Sequence, residues 1–319
     1  MGRVTARACG GKAPFVHEHL HRRGGQTRAR LLCALGLFLI LAACSGDAEG
    51  GQAPVIAAAG DIACDTDPEP QADCRHKATS NLLVGGDYEA VLALGDIQYD
   101  NGSRRNFKSS YDPTWGRLKR ITHPVPGNHD YRTKRARGYF DYFGSAAGRA
   151  KKGYYSYEIA GWHLIGLNSE ISHGPKSEQL SWLRRDLASS RAKCTLAYWH
   201  RPRFSSGEHG SDESMGPFWH ELYDAAADVV LSGHDHDYER FGPQDPNGDA
   251  DHERGIRSFV VGTGGESLRP FGETQPNSEV RNSSTYGVLT LTLHASGYEW
   301  EFVPAGPAEF RDSGHGDCH

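Results

Sequence analysis

The chain has 319 residues, with 37% hydrophobic and 24% charged residues and 39 glycines. This is the composition of an ordinary globular protein, and it suits a loop-rich fold better than a helical bundle. Residues 44–319 hold 28 basic and 39 acidic residues, a formal net charge of −11. So acidic a chain argues against sequence-independent nucleic-acid binding, which depends on the neutralisation of phosphates by Lys and Arg. No nucleic-acid partner is therefore expected.

Residues 1–43 have the pattern of a secretory leader. Seven Lys/Arg and a single acid, Glu18, lie in this segment, and Leu31–Ala43 is a run of 13 residues without charge. Thirteen residues are too few to span the ~30 Å hydrocarbon layer of a membrane as a helix. A basic region followed by a short apolar run and small residues therefore predicts a signal peptide.

The end of this leader, Leu41-Ala42-Ala43-Cys44, resembles a bacterial lipobox. The resemblance implies cleavage before Cys44 and attachment of a lipid to its sulfur; ordinary cleavage nearby, with Cys44 free, is the alternative. Residues 44–53, which include three glycines and no large apolar side chain, are then expected to form a flexible tether. Residues 54–319 are expected to form one domain, exported and anchored by the lipid to the outer face of the cell membrane.

Four cysteines lie in the expected exported domain: Cys64, Cys74, Cys194 and Cys318. In an oxidising compartment they favour two disulfides, for which three pairings are possible. The preferred pairing is Cys64–Cys74, which closes a short loop, together with Cys194–Cys318, which joins the C-terminal tail to a strand. Free buried thiols are the alternative.

The apolar periodicity predicts alternating strands and helices, with Ser177 as the N-cap of the longest helix. In chain order the predicted elements are strand Val55–Ala59, a helix around Lys77–Val84, strand Ala90–Leu94, short helices Asn106–Ser110 and Thr114–Arg120, strands Ile121–Pro126, Tyr154–Ile159 and Trp162–Leu167, helix Glu178–Ala188, strand Thr195–Trp199, helix Phe218–Ala227 and strand Asp228–Leu231. Three late segments alternate in strand period and are expected to complete a second sheet: Ser258–Gly262, Tyr286–His294 and Tyr298–Val303. Two packed sheets flanked by helices follow from this order.

Five of the predicted strands end in side chains that can bind metal ions: Asp61, then Asp96 and Tyr99, then Asn128-His129-Asp130, then His200, then His234 and His236. Each has an ordinary explanation alone, since a Gly-Asp pair is usually a turn and a single His is more often a core residue. Together, the carboxylates, imidazoles, amide and phenol suit two hard-to-borderline metal ions. Loops at strand ends are where such folds place their chemistry, so the set predicts two-metal hydrolysis of a phosphate ester.

These motifs resemble the calcineurin-like metallophosphoesterases, and specifically the purple acid phosphatase branch in a short, single-domain bacterial form. They stand here as Gly60-Asp61, Gly95-Asp96-Ile97-Gln98-Tyr99, Gly127-Asn128-His129-Asp130, Tyr198-Trp199-His200 and Gly233-His234-Asp235-His236. Ordinary members of the family have a His ligand where this chain has Ala63, and the purple branch has a Tyr where this chain has Tyr99. The resemblance implies an α/β fold, a four-layer α/β/β/α sandwich with its metal site on loops at the C-terminal edge of the strands.

The resemblance also implies a role for each of these residues. Asp61, Tyr99 and His236 would bind the first metal ion, and Asn128, His200 and His234 the second, with Asp96 bridging. The expected ions are Fe(III) at the first position, because a phenolate suits a hard trivalent ion, and Zn, Mn or Fe(II) at the second. His129 and, by a looser match, His209 are the expected catalytic residues, which contact a phosphate oxygen or protonate the leaving alkoxide.

The expected function is that of an acid-phosphatase-type phosphomonoesterase, in which a metal-bound hydroxide attacks the phosphorus of a small phosphorylated substrate. A phosphodiesterase or nucleotide hydrolase could use the same two-metal site, because the surrounding loops set the specificity. The alternative to an enzyme is a domain that binds metal ions without catalysis. Such a domain would be expected to lack some of the ligands. None of the seven expected ligands is missing.

Overall fold

The computed structural model describes residues 52–65, 73–149, 152–307 and 310–319, and all structural statements below concern these residues. The predicted leader, residues 1–43, and most of the predicted tether, residues 44–53, lie outside them. Within the described ranges, no helix has both the length and the apolar character needed to cross a bilayer.

The described residues form 13 β-strands and five α-helices, joined by short 3-10 and π-helical segments. The strands are β1 Val55–Ala59, β2 Ala90–Leu94, β3 Thr122–Val125, β4 Tyr155–Ile159, β5 Trp162–Gly166, β6 Cys194–Tyr198, β7 Val229–Ser232, β8 Tyr238–Phe241, β9 Arg257–Val261, β10 Ser278–Asn282, β11 Gly287–His294, β12 Gly297–Pro304 and β13 Ser313–Asp317. The helices are α1 His76–Leu83, α2 Arg104–Asn106, α3 Arg137–Phe143, α4 Glu178–Ser189 and α5 Gly216–Asp224.

Two sheets carry these strands, with six strands in the order β13-β12-β11-β1-β2-β3 and seven in the order β10-β8-β9-β7-β6-β5-β4. Strands β1, β2 and β3 are parallel, and so are β5, β6, β7 and β9. Parallel neighbours place their carboxyl ends at the same edge of a sheet, which is where open α/β sheets bind their ligands.

The late strands do not assemble as the sequence predicted. Of the three late segments, only the one that forms β9 joins the seven-stranded sheet, where it pairs with β7. Strand β11 instead pairs antiparallel with β1, and β11 and β12 extend the first sheet. The alternation of apolar residues identifies a strand and its buried face, but it carries no information on the partner. The expectation that these three segments complete one second sheet is therefore wrong.

Alternate residues of the central strands face two different hydrophobic clusters. Leu164 and Leu196 lie in the cluster that also contains the first sheet, and their neighbours Ile165 and Ala197 lie in the cluster that contains α4 and α5. The two sheets therefore pack face to face, and α4 and α5 cover the outer face of the second. Side chains of α1 and of the segment around Phe107 belong to the first cluster. The layers agree with the expected α/β/β/α order.

Several predictions for individual strands and helices are confirmed. The predicted bounds of β1 and β2 are those observed, and Ser177 caps α4 by accepting a hydrogen bond from the backbone N–H of Leu180 at 3.1 Å. The two short helices predicted near residue 110 are a π-helical segment at Phe107–Tyr111 and a 3-10 helix at Trp115–Ile121.

Both preferred disulfides are present. Cys64 is bonded to Cys74, ten residues further on, and Cys194 is bonded to Cys318 across 124 residues. The second bond fixes the tail after β13 to the first residue of β6, and the backbone N–H of His319 donates to the Asp228 carboxylate at 2.8 Å beside it. The alternative of free thiols is excluded for these four cysteines.

Candidate metal centre

Seven side chains converge at the carboxyl ends of five strands, and we call this set the cage: Asp61, Asp96, Tyr99, Asn128, His200, His234 and His236. Asp61, Asp96, His200 and His234 each lie two residues beyond the end of a strand, namely β1, β2, β6 and β7. The loops after β1, β2 and β3 come from one sheet, and those after β6 and β7 come from the other. The cage therefore spans the junction of the two sheets.

Short contacts between loops hold the two sheet edges together. The backbone N–H of His234 donates to Asp61 Oδ2 at 2.8 Å, and Gly60 N donates to Val261 O at 2.8 Å. A Cβ on Gly95 would lie 2.6 Å from the ring of His200, and one on Gly127 would lie 2.2 Å from Asp96 Oδ1. Glycine is required at these two positions because the backbone passes so close to the cage.

Three residues of the cage have left-handed backbone conformations. The φ angles are 56° at Asp61, 44° at Asp96 and 74° at His234. A non-glycine residue in this region costs about 1–3 kcal/mol, and such conformations persist where surrounding contacts fix them and function requires them. Here they direct side chains from different strands toward one point.

One group of cage atoms surrounds the hydroxyl of Tyr99. This oxygen lies 2.7 Å from Asp61 Oδ1, 3.0 Å from Asp96 Oδ2 and 3.0 Å from His236 Nε2. Burial and the charges of Asp61 and Asp96 raise the pKa of the Tyr99 phenol well above its usual range. A phenol between two carboxylates ionises only when a cation balances the charge, so this group suits a hard cation.

A second group surrounds His200 Nε2. This atom lies 3.3 Å from Asp96 Oδ2, 3.2 Å from Asn128 Oδ1 and 3.2 Å from His234 Nδ1. Asp96 Oδ2 is thus within 3.3 Å of both groups, and the other oxygen of this carboxylate accepts a hydrogen bond from His129 N at 2.7 Å. The position of Asp96 between the groups is that of a bridging ligand.

Backbone carbonyls orient two of the three imidazoles. His236 Nδ1 lies 2.7 Å from Ser267 O, and His200 Nδ1 lies 3.0 Å from Leu94 O. A carbonyl oxygen only accepts, so Nδ1 carries a proton in both rings, and Nε2 is the atom that can give a lone pair to a bound cation. His234 is turned the other way, with Nδ1 toward the cage.

The surroundings of these two cage imidazoles raise the pKa of His200 and lower that of His234. Burial opposes a charged ring at His200, but the Asp96 carboxylate raises the pKa of His200 to about 10. Burial, together with the neighbouring His200 and Arg201, lowers the pKa of His234 far below its usual range. A cation that binds at this position therefore displaces a proton from His200 and meets a neutral His234.

The two histidines expected in catalysis lie beside the cage. The ring of His129 is 4.1 Å from that of Tyr99, centroid to centroid, and its Nδ1 lies 2.8 Å from Asp100 O. His209 stacks on His234 with the ring centroids 4.4 Å apart, and its Nε2 lies 3.0 Å from Arg269 Nη1. Both rings are partly exposed, as expected of groups that contact a substrate.

Sequence reasoning assigned no role to three further residues at this edge. Asp130 Oδ2 accepts from Ile97 N and Gly127 N and so joins two of the cage loops, and burial, followed by the charge of Asp96, raises the pKa of Asp130 to about 8. Arg201 and Glu170 form an ion pair at 2.8 Å beside His234. The signal for Asp130 and Arg201 is their place in the motifs, directly after His129 and His200, whereas Glu170 has no signal in the sequence.

The donor atoms fit metal ions. Two ligands of one ion, each bound at about 2.0–2.2 Å, lie no more than about 4 Å apart. The contacts within each group are 2.7–3.4 Å, and ligand atoms of Asp96, His200 and His234 all lie within 4.8 Å of one another. Carboxylate, phenol and imidazole donors on one side, and amide and imidazole donors on the other, can hold two ions with Asp96 shared.

Known proteins resemble this chain in sequence. The sequence model of the family described as calcineurin-like phosphoesterase matches residues 54–238. Purple acid phosphatase 15 of Arabidopsis thaliana is 29% identical over an alignment of 199 residues that covers 51% of this chain and 37% of that protein. Purple acid phosphatase 21 of the same plant is 29% identical over an alignment of 239 residues that covers 65% of this chain and 52% of that protein. The chain thus spans about half, or less, of the length of these relatives.

A solved structure shows the same fold. The purple acid phosphatase PPD1 from yellow lupin (Lupinus luteus) seeds superposes with a TM-score of 0.70 at 19% identity, over 83% of this chain and 54% of that one. The predicted fold class is thereby confirmed. The family model covers the chain from Pro54 to Tyr238, and every residue of the cage lies between these limits. Because this match covers more than half of the chain and includes the whole cage, the chain belongs to the calcineurin-like phosphoesterase family.

Proposed function

We propose that the chain is a two-metal phosphohydrolase that acts on phosphomonoesters in the manner of an acid phosphatase. The observation that carries this proposal is the position of Asp96, whose Oδ2 lies within 3.3 Å of both donor groups. The family match and the purple acid phosphatase relatives support the same chemistry. The two donor groups would each hold one metal ion, with Asp96 between them.

Bound in this way, two ions would lower the pKa of water and neutralise the charge of the phosphate. The residues of this chain then hold and orient the substrate. His129 is the proposed acid, because Nδ1 must donate to Asp100 O, which leaves Nε2 on the cage side, 3.9 Å from Asp96 Oδ2. A proton on Nε2 would pass to the leaving oxygen. His209, which stacks on His234, is proposed to contact a phosphate oxygen from the opposite side.

The proposal is tested by the hydrolysis of an aryl phosphomonoester and a matched aryl phosphodiester across pH, with the metal content measured in the same samples. We expect monoester turnover that a chelator abolishes and that added metal ions restore. Turnover of the diester alone would favour the phosphodiesterase. Absence of turnover in protein that holds two ions per chain would favour the domain that binds metals without catalysis.

We propose Fe(III) for the site of Asp61, Tyr99 and His236, and Zn, Mn or Fe(II) for the other. The iron-loaded protein is then expected to absorb visible light by charge transfer from the Tyr99 phenolate, and Tyr99→Phe is expected to remove this band. Tyr111→Phe is the matched control, because Tyr111 is equally buried but lies outside the cage. A colourless iron-loaded wild type, or a band that survives in Tyr99→Phe, would contradict the proposed ligand set.

We propose further that the protein is exported and held to the membrane by a lipid on Cys44. The leader pattern supports export, and the two disulfides are typical of an oxidising compartment. In cells fed a labelled fatty acid, the protein is expected to carry the label, and Cys44→Ala is expected to lose it. Cys33→Ala, which changes a cysteine of the expected leader, should keep the label. Equal labelling of wild type and Cys44→Ala would contradict the proposal.

A further inference from the structure

The guanidinium of Arg201 lies against the side of the His234 ring that faces away from the cage. Arg201 follows His200 in the chain, and its Nη1 lies 3.3 Å from His234 Nε2. The other side of the same guanidinium pairs with Glu170, with Nε 2.8 Å from Oε1 and Nη2 3.4 Å from Oε2. Glu170 and Arg201 lie in the loops after the neighbouring strands β5 and β6, so the pair joins two loops and fixes the direction of Nη1.

The contact between Arg201 and His234 depends on which nitrogen of the imidazole carries the proton. With Nδ1 protonated, Nε2 accepts a hydrogen bond from Arg201. Once His234 gives the lone pair of Nδ1 to a metal ion, the proton of the neutral ring must be on Nε2. Arg201 Nη1–H and His234 Nε2–H then become two donors that face each other at 3.3 Å with no acceptor between them.

Two converging donors of this kind make a binding site for an anion. An unsatisfied, partly buried donor costs free energy, and an oxygen that accepts from both removes this cost. A phosphate oxygen suits the position, because hydrogen bonds from a guanidinium to phosphate are among the strong ones. The Arg201 side chain is 30% exposed, so a ligand can reach its guanidinium from solvent, whereas His234 lies deeper.

We propose that Arg201, oriented by Glu170, is a substrate-binding residue that holds a terminal phosphate oxygen together with the outer N–H of His234. This inference rests on the function proposed above, and it adds a basis for substrate choice. A phosphomonoester has one more terminal oxygen than a diester and carries more negative charge. The donor pair therefore favours monoesters over diesters of the same alcohol.

The test compares Arg201→Met and Arg201→Lys with the wild type, all loaded with metal. We expect Arg201→Met to weaken the binding of inorganic phosphate, measured by calorimetry, and to lower kcat/KM for an aryl monoester, each by about 10- to 100-fold, the effect of losing a hydrogen bond to a charged group. The loss should appear mainly in KM, and kcat/KM for the diester should fall less. Arg201→Lys, which keeps the charge without the planar fork, should lie between the two.

Arg184→Met is the matched control, because Arg184 makes a similar pair with Glu221, with Nε at 2.8 Å and Nη2 at 2.7 Å, but belongs to α4. It should leave phosphate affinity and both rates unchanged, and all variants should bind two metal ions per chain. If Arg201→Met fails to fold, Glu170→Gln takes its place in the test. This substitution keeps Arg201 but weakens the ion pair that orients its guanidinium. We expect phosphate affinity to fall about 3- to 10-fold in Glu170→Gln.

Several outcomes separate this inference from the proposed function. Unchanged phosphate affinity and an unchanged monoester-to-diester ratio in Arg201→Met would overturn the inference while the phosphatase proposal stands. If Glu170→Gln takes the place of Arg201→Met, unchanged phosphate affinity and an unchanged monoester-to-diester ratio in Glu170→Gln would also overturn the inference. A wild type that binds phosphate through Arg201 but hydrolyses no ester would refute the activity and support the inference. A metal-loaded wild type that binds no phosphate would overturn both.

Discussion

Asp96→Asn is expected to lower kcat/KM for a phosphomonoester by at least about 10³-fold, which corresponds to about 4 kcal/mol of transition-state stabilisation. The substitution keeps the shape of the side chain but removes the charge that the two donor groups share. Asp96 Oδ2 contacts Tyr99 and His200, and Oδ1 accepts from His129 N. An amide at this position cannot bridge two cations and places a donor next to other donors, so both ions should bind much more weakly.

The measurement is metal content per chain together with monoester turnover, with circular dichroism to show that the fold is kept. Asp141→Asn is the control, since it makes the same chemical change in a surface ion pair with Arg137 on α3. We expect two ions and full turnover in the control. An Asp96→Asn protein that holds two ions and retains turnover within about threefold of wild type would refute the bridging role.

Removal of the Cys194–Cys318 disulfide by alanine at both positions is expected to lower the free energy of unfolding by about 4–5 kcal/mol. The bond closes a loop of 124 residues, and a cross-link over so long a loop restricts the unfolded chain strongly. It also holds the tail after β13 against β6, where His319 donates to Asp228. Urea unfolding monitored by tryptophan fluorescence measures the change.

The Cys64–Cys74 bond provides the matched comparison. It spans ten residues, so the same substitution of both cysteines should cost about 2–3 kcal/mol. Reduction of the wild type should reproduce the sum of the two changes. Equal losses for the two pairs, or a larger loss for the short loop, would contradict the loop-entropy argument and would point to packing around each bond.

The fold could be predicted where a strand is so deeply buried that its sequence is a continuous apolar run. Strands β1 and β2 are buried almost throughout, so their apolar runs mark their bounds. Strand β13, Ser313–Asp317, contains no apolar side chain and lies at the edge of its sheet, where pairing comes from the backbone of β12. Its sequence therefore carries no strand signal. Strand β10, which was also missed, lies at an edge of the other sheet and has a single apolar residue, Val280.

The site could be predicted because its residues stand at fixed positions relative to strand ends. The expected ligands of the cage follow apolar runs, and parallel strands bring such ends to one edge. The pair of Arg201 and Glu170 could not be found in this way. Its members lie 31 residues apart in the chain and meet only because β5 and β6 are neighbours in the sheet. Contacts of this kind belong to the tertiary structure and not to local pattern.

Anomalous X-ray scattering from crystals of the metal-loaded protein can locate the metal ions directly. We expect two peaks about 3.5–4 Å apart, one on each side of the Asp96 carboxylate, with Tyr99 at one ion and Asn128 at the other. A single peak, or peaks that lie away from these side chains, would contradict the account of a two-metal phosphohydrolase.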